Sequence, residues 1–252
     1  MSASDWQKYR WAVGPGDDSR PIVRVRVLGG FQAQYRESIW ELGPTSREIP
    51  GAGQREWEYF ALLAGWPSES VHTDLVASAL WPSTTVEHRS MRQRRLLSEY
   101  TELLAEHWQR LVPGFPEDGV SIDASDMRQL HRPTFVTDVQ VMHNYAKVAR
   151  SAEQRARSAL ERHAKAEGEA ETQTALRMWA AVERFGVAEL LTTTDGPLYP
   201  WVAAPLERDG RVLGDLVNSF VEEAEHRLAE RRPSSLGSVL DDPNFEYFVL
   251  SV

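Results

Sequence analysis

Cysteine is absent from the 252 residues. That removes disulfides, thiolate metal sites and cysteine nucleophiles together and fits a reducing compartment, so the cytoplasm is the expected location. Long apolar runs are missing too. No stretch approaches the roughly 20 residues needed to cross a bilayer, and Met1 to Asp18 lacks the basic-then-apolar layout of a signal peptide, so no membrane partner is expected. Positive charge is scarce: 28 Lys and Arg stand against 37 Asp and Glu, for a net charge of −9. The deficit is spread along the chain, with 15 cations against 18 anions in residues 1–137 and 13 against 19 in the remainder. This excludes a broad basic surface, so any contact with DNA has to come from a local patch.

Signatures of chemistry are missing as well. The seven histidines form no HExxH and no pair at metal-ligand spacing. No serine sits in a nucleophile elbow, and the acidic pairs Asp17-Asp18 and Asp241-Asp242 lie in polar, turn-like stretches. No catalytic constellation, metal or cofactor is expected, and the chain reads as non-enzymatic. What is plentiful is core material: 42% hydrophobic residues and nine tryptophans, enough for two packed domains at this length.

Val23, Val25 and Val27 alternate with Arg24 and Arg26, which predicts a half-buried strand; Gly29-Gly30 then allows a turn, and FQAQY and IWEL continue as short antiparallel strands. The glycine pair lacks the further residues of a nucleotide-binding loop. Trp57, Phe60, Ala61 and Ala64 predict a first helix ended by Gly65 and Pro67, and Thr73-Asp74 cap a second that closes at Trp81-Pro82. Thr84 and Glu87 form a capping box for a third helix reaching about Leu111. Its predicted apolar side holds Val86, Leu96, Leu97, Tyr100, Leu103, Leu104 and Leu111. Arg89, Arg92, Arg94 and Arg95 crowd its N-terminal half, and Glu99, Glu102 and Glu106 its C-terminal half. Asp118-Gly119 then signals a hairpin turn, which would make a wing.

From about Asp138 the strand signals give way to helical spacing. Four helical segments are expected, with short connectors at Gly168 and Gly186 and the last running from about Pro205 to Arg231. The expected fold is α+β, mostly α. Residues 1–20 form a tail, 21–137 a winged helix of the response-regulator effector type, 138–232 an all-helical module, and 233–252 a second tail.

RVRVLGGFQAQY, QREWEYFALLA and VHTDLVASALWP resemble the opening of the Streptomyces antibiotic regulatory proteins of actinobacteria. TDVQVMHNYAKVA, ALRMW and GPLYPWVAAPLERDGRVLGDLVNSFVEEAEHRLAE resemble the bacterial transcriptional activator domain of the same proteins, and the Tyr-x-Trp element is the more specific match. The resemblance spans residues 22–232. It implies a DNA-binding winged helix, a regulatory or oligomerising helical module similar to tetratricopeptide repeats, and as partners double-stranded DNA and a protein, either RNA polymerase or a second copy in a homodimer. The chain departs from the family in its third helix, RSMRQRRLLSEYTELLAEH, and in a wing without Gly-Tyr-Arg. Those are the places where DNA would be touched. An alternative therefore stays open: a protein-interaction or small-ligand-sensing module that keeps the fold but has lost DNA binding.

Two groups of candidate site residues follow. Arg89, Arg92, Arg94 and Arg95 could read base edges or clamp phosphates, or else form a solvated helix face paired with nearby glutamates. Trp179, Tyr199 and Trp201 could form a ligand or partner groove, or else pack helices together.

Overall fold

The computed structural model describes residues 22–43, 53–68, 70–82, 91–131, 134–185, 190–193, 196–204 and 212–230. Both predicted tails lie outside them, as do Arg89, Val86, the Thr84–Glu87 capping box, the Gly186 connector and the expected helix start at Pro205. The mixed α/β, mostly helical character expected from the pattern is observed.

The valine alternation becomes β1 (Val23–Arg26), with Val23, Val25 and Val27 fully buried. Gly29 and Gly30 then turn the chain at φ 66 and 146, values a side chain would strain. The chain continues into β2 (Gln32–Tyr35) and β3 (Ser38–Glu41). Both pairs are antiparallel, with Val25 opposite Ala33 and Ala33 opposite Trp40. Then come α1 (Gln54–Gly65), β4 (Ser70–His72), α2 (Thr73–Leu80) and α3 (Met91–Leu111). The cap of α2 is His72, one residue before the predicted Thr73, with Nδ1 accepting from Asp74 N at 3.1 Å.

After α3 the chain forms the hairpin β5 (Val120–Ile122) and β6 (Met127–Leu130), then β7 (Phe135–Thr137). A hairpin follows the third helix, but it is not the one expected to turn at Asp118-Gly119, which precede β5. Asp123 Oδ1 accepts from Ser125 N at 2.8 Å and Met127 N at 3.0 Å, and Asp126 takes the left-handed φ of 59. An aspartate competes well for such a turn because its side chain mimics a backbone acceptor. Two sheets result: β3-β2-β1-β7, in which β7 runs parallel to β1, and β4-β6-β5, all antiparallel.

The helices beyond are α4 (Asp138–Glu161), α5 (Lys165–Glu183) and α6 (Leu213–Ala229). The first two predicted segments are thus one helix. Gly168 is not a connector but a buried residue inside α5, where a methyl group would stand 3.0 Å from Leu160 Cγ and Cδ2. The actual break spans residues 162–164, with His163 at φ 61. Where strand signals were no longer expected, β8 (Thr192–Thr193) and β9 (Gly196–Pro197) pair as a short hairpin, followed by a 3-10 turn, Pro200–Val202.

Two compact units emerge, each assembled from distant stretches. One holds the described residues of Arg20–His143 and Val187–Phe220, the other those of Asn144–Gly186 and Val221–Val252. In the first unit an aromatic cluster fills the core: Phe60 lies 5.4 Å from Trp108 and 5.5 Å from Phe135 between ring centroids, with Phe31, Trp57 and Phe115 around them. Residues 190–193 and 196–198 belong to this unit, where Leu28 bridges Leu190 and Leu191 N donates to Val27 O at 2.7 Å. Asp138 secures the same corner. Its buried carboxylate accepts from Val27 N, Leu28 N at 2.8 Å and Val139 N at 2.9 Å, and burial still pushes its pKa up to about 6. The second unit packs small residues, with Ala149, Ala152, Ala156 and Ala159 buried along α4, and Ala175, Ala180 and Ala181 along α5.

Candidate nucleic-acid interface

The inward face of α3 decides what its arginines can do. Leu97, Thr101, Leu104 and Trp108 are buried at spacings of three and four, so the apolar stripe is centred one position round from the predicted one. Leu103, expected inside, is 44% exposed, and Leu96, Tyr100 and Leu111 are half-buried. This orientation leaves Arg92, Arg94 and Arg95 on the outside.

Their surroundings are acidic. Arg94, with 54% of its side chain exposed, places Nη2 3.2 Å from Asp74 Oδ1 and Nη1 3.1 Å from Asp126 Oδ2, the second contact off the hydrogen-bond axis. Arg95, 81% exposed, donates from Nε to Glu99 Oε1 at 3.0 Å, one helical turn on. Arg92 is exposed. Carboxylates thus reach these α3 arginines from three elements: Asp74 from α2, Glu99 from α3 itself and Asp126 from the tip of the β5–β6 hairpin. Exposed pairs of this kind contribute about 0.2–1 kcal/mol each, so they are easily exchanged for another anion.

Beneath this surface lies a residue the sequence reading passed over. Arg128 on β6 is 1% exposed. Its Nε donates to Thr73 Oγ1 at 2.8 Å, and its Nη1 to Leu97 O at 2.9 Å and Thr101 Oγ1 at 3.0 Å. The guanidinium also lies 5.9 Å from the Tyr59 ring centroid. Burial pushes the Tyr59 phenol up, against the pull of this cation. A buried charge is tolerable only when its donors are satisfied, and here neutral acceptors from α1, α2 and α3 do that work. Thr73 passes the connection outward, since its Oγ1 lies 2.7 Å from Asp126 Oδ1 and 2.8 Å from Asp126 O. Strand alternation was the available signal: in MRQL, Arg128 shares a face with buried Leu130.

The three candidate groove aromatics fall in different units, and all are buried. Trp179 belongs to the helical unit, where its Nε1 donates to Glu153 Oε1 at 2.9 Å and Arg150 stands over its ring. Tyr199 and Trp201 belong to the first unit and stack with planes 5° apart and centroids 5.6 Å apart. Burial raises the Glu58 carboxyl above its ordinary pKa. Arg55 holds it back, as does the Trp201 indole N–H, which leans toward it without closing a hydrogen bond of ordinary geometry. Burial, with Glu58 near, also pushes the Tyr199 phenol well up.

Among the described residues no cluster of three His, Asp or Glu could hold a metal, and no helix is long and apolar enough to cross a membrane. No family model, curated protein or solved structure matches the chain.

Proposed function

We propose that the described residues of 22–137 form a winged helix within the first unit and that the chain is a transcriptional regulator of the actinobacterial activator type, reading double-stranded DNA with the N-terminal half of α3. One observation carries this reading. The strand between the first two helices, β4, pairs with the hairpin that follows the third, and the resulting sheet holds α3 with its apolar stripe inward and Arg92, Arg94 and Arg95 outward. A helix presented beside a hairpin in this way has the geometry for a major groove. In this reading α4 to α6 form the regulatory or oligomerising module, similar to tetratricopeptide repeats. The short turn at residues 162–164, which sets α4 and α5 as consecutive neighbours, supports it.

The test is fluorescence anisotropy of a labelled duplex containing the chain's own upstream region. Weak binding is expected at about 50 mM salt, falling with a shallow slope that reflects about three or four phosphates. R94A/R95A should abolish it while the circular dichroism spectrum stays that of the folded protein and the melt shifts only slightly. No binding by the unmodified protein to any duplex would overturn the reading. The acid-paired state of Arg94 and Arg95 favours the second reading, an interaction or ligand-sensing module that kept the fold without the DNA contact.

A further inference from the structure

We infer that Asp74 and Asp126 form an intramolecular anion clamp that occupies Arg94 in the absence of DNA, so that the affinity of α3 for a phosphate backbone is set by two carboxylates as much as by its arginines. The inference rests on the winged-helix reading above.

The geometry points this way because both acidic residues are anchored by contacts other than Arg94, Asp126 through its carboxylate and Asp74 through its backbone. Asp126 is held from within. It closes the hairpin turn at φ 59, its carbonyl accepts from Thr73 N at 3.0 Å, and its Oδ1 is engaged by Thr73 Oγ1, which leaves Oδ2 for Arg94. Thr73 in turn is fixed by the buried Arg128, which also reaches Leu97 O and Thr101 Oγ1 on α3. Asp74 sits in the first turn of α2 with its backbone N–H bound to His72 Nδ1, and its Oδ1 faces Arg94. The two acidic groups converge from separate elements on one guanidinium, much as the oxygens of a phosphate would.

Two properties follow. Arg94 keeps about half its surface in water, so the clamp is weak enough for a phosphate to displace it. On displacement, however, both carboxylates remain beside the incoming phosphate and repel it. Binding is thus opposed twice by the same two residues, and neutralising them should strengthen it. Glu99 acts on Arg95 in the same sense but from a more exposed position on the same helix.

The test measures affinity for a random-sequence duplex of about 20 base pairs by anisotropy at low and moderate salt, using the full chain. D74N/D126N keeps the shape of the site. Asparagine tolerates the left-handed turn at 126 and still accepts from Thr73. Binding is expected to tighten about three- to tenfold, and the salt slope to steepen by about one phosphate. Adding R94A should return affinity to the unmodified level or below. E161Q/E169Q removes as many charges from exposed positions of the other unit and should change affinity less than about twofold. Tightening by E161Q/E169Q equal to that of D74N/D126N would overturn the clamp in favour of net charge. Unchanged affinity in D74N/D126N, with the unmodified protein binding, would overturn the clamp and leave the winged-helix reading standing. Absence of binding by every variant would remove the DNA-reading function and the clamp with it.

Discussion

The two units achieve compactness by opposite means. In the first, few large rings interlock: Trp57, Phe60, Trp108, Phe115 and Phe135 meet at centroid distances of 5.4–6.4 Å, mostly edge to face. In the helical unit, alanines let the backbones approach, and polar contacts join the helices, as in Arg150–Glu223 and Arg155–Glu171 nearer the surface and in the buried Trp179 indole donating to Glu153. An aromatic core concentrates its energy in a few residues and tolerates a buried cation among hydroxyls and carbonyls. An alanine core distributes its energy and keeps its ion pairs only partly covered. The first should therefore be sensitive to deletion of atoms and the second to their addition.

The largest expected effect is in the aromatic cluster. Trp108→Ala removes a fully buried ring that touches Trp40, Trp57, Phe60, Phe115 and Phe135, and should destabilise the first unit by about 3–5 kcal/mol in urea denaturation. A loss below about 1 kcal/mol would break the contrast, because the core would then be able to collapse around the gap.

Next comes the corner held by Asp138, where the first unit is sensitive to charge rather than volume. The folded pKa is raised from 3.8 to about 6, so between these values the folded state binds more protons than the unfolded one. The stability contributed by this group is therefore fully present below about pH 4 and lost as pH rises through about 6, by roughly 2–3 kcal/mol. Denaturant midpoints taken between these pH values should carry that component in the unmodified protein and lack it in Asp138→Asn. A difference between the two proteins that is independent of pH would show that the carboxylate titrates as it does when unfolded.

The smallest of the three lies in the helical unit. Ala152→Leu adds three heavy atoms where α4 has no exposed surface, and should destabilise by about 1–3 kcal/mol through overpacking. If it stabilised the protein, the alanine face would contain unfilled space and the two cores would differ less than described.

Local elements were legible where periodicity and punctuation agree. The Val23-Val25-Val27 alternation, the glycine pair after it and the α1 helix from Trp57 to Ala64 all formed as the pattern implied. Legibility declined where a short polar residue competed with a stronger signal. Asp118-Gly119 looked like the hairpin turn, yet Asp123 and Asp126 make it. Gly168 looked like a break, yet it is the point where α5 passes close to Leu160. The α3 stripe was misplaced because Thr101 and His107 turn inward while Leu103 does not, and hydropathy alone ranks those residues the other way.

The candidate site divides along the same line. The sequence determined that Arg92, Arg94 and Arg95 lie close together early in a helix, with Arg92 and Arg95 on one face because they stand three residues apart. Only the tertiary structure decided that Arg94 meets carboxylates 20 and 32 positions away in opposite directions, Asp74 and Asp126. It alone buried Arg128 against Tyr59, 69 residues distant, and joined Val27 to Asp138 across 111. Periodicity reports what one element does with its own neighbours. Which charges are neutralised and which are buried depends on contacts that close only after distant elements pack.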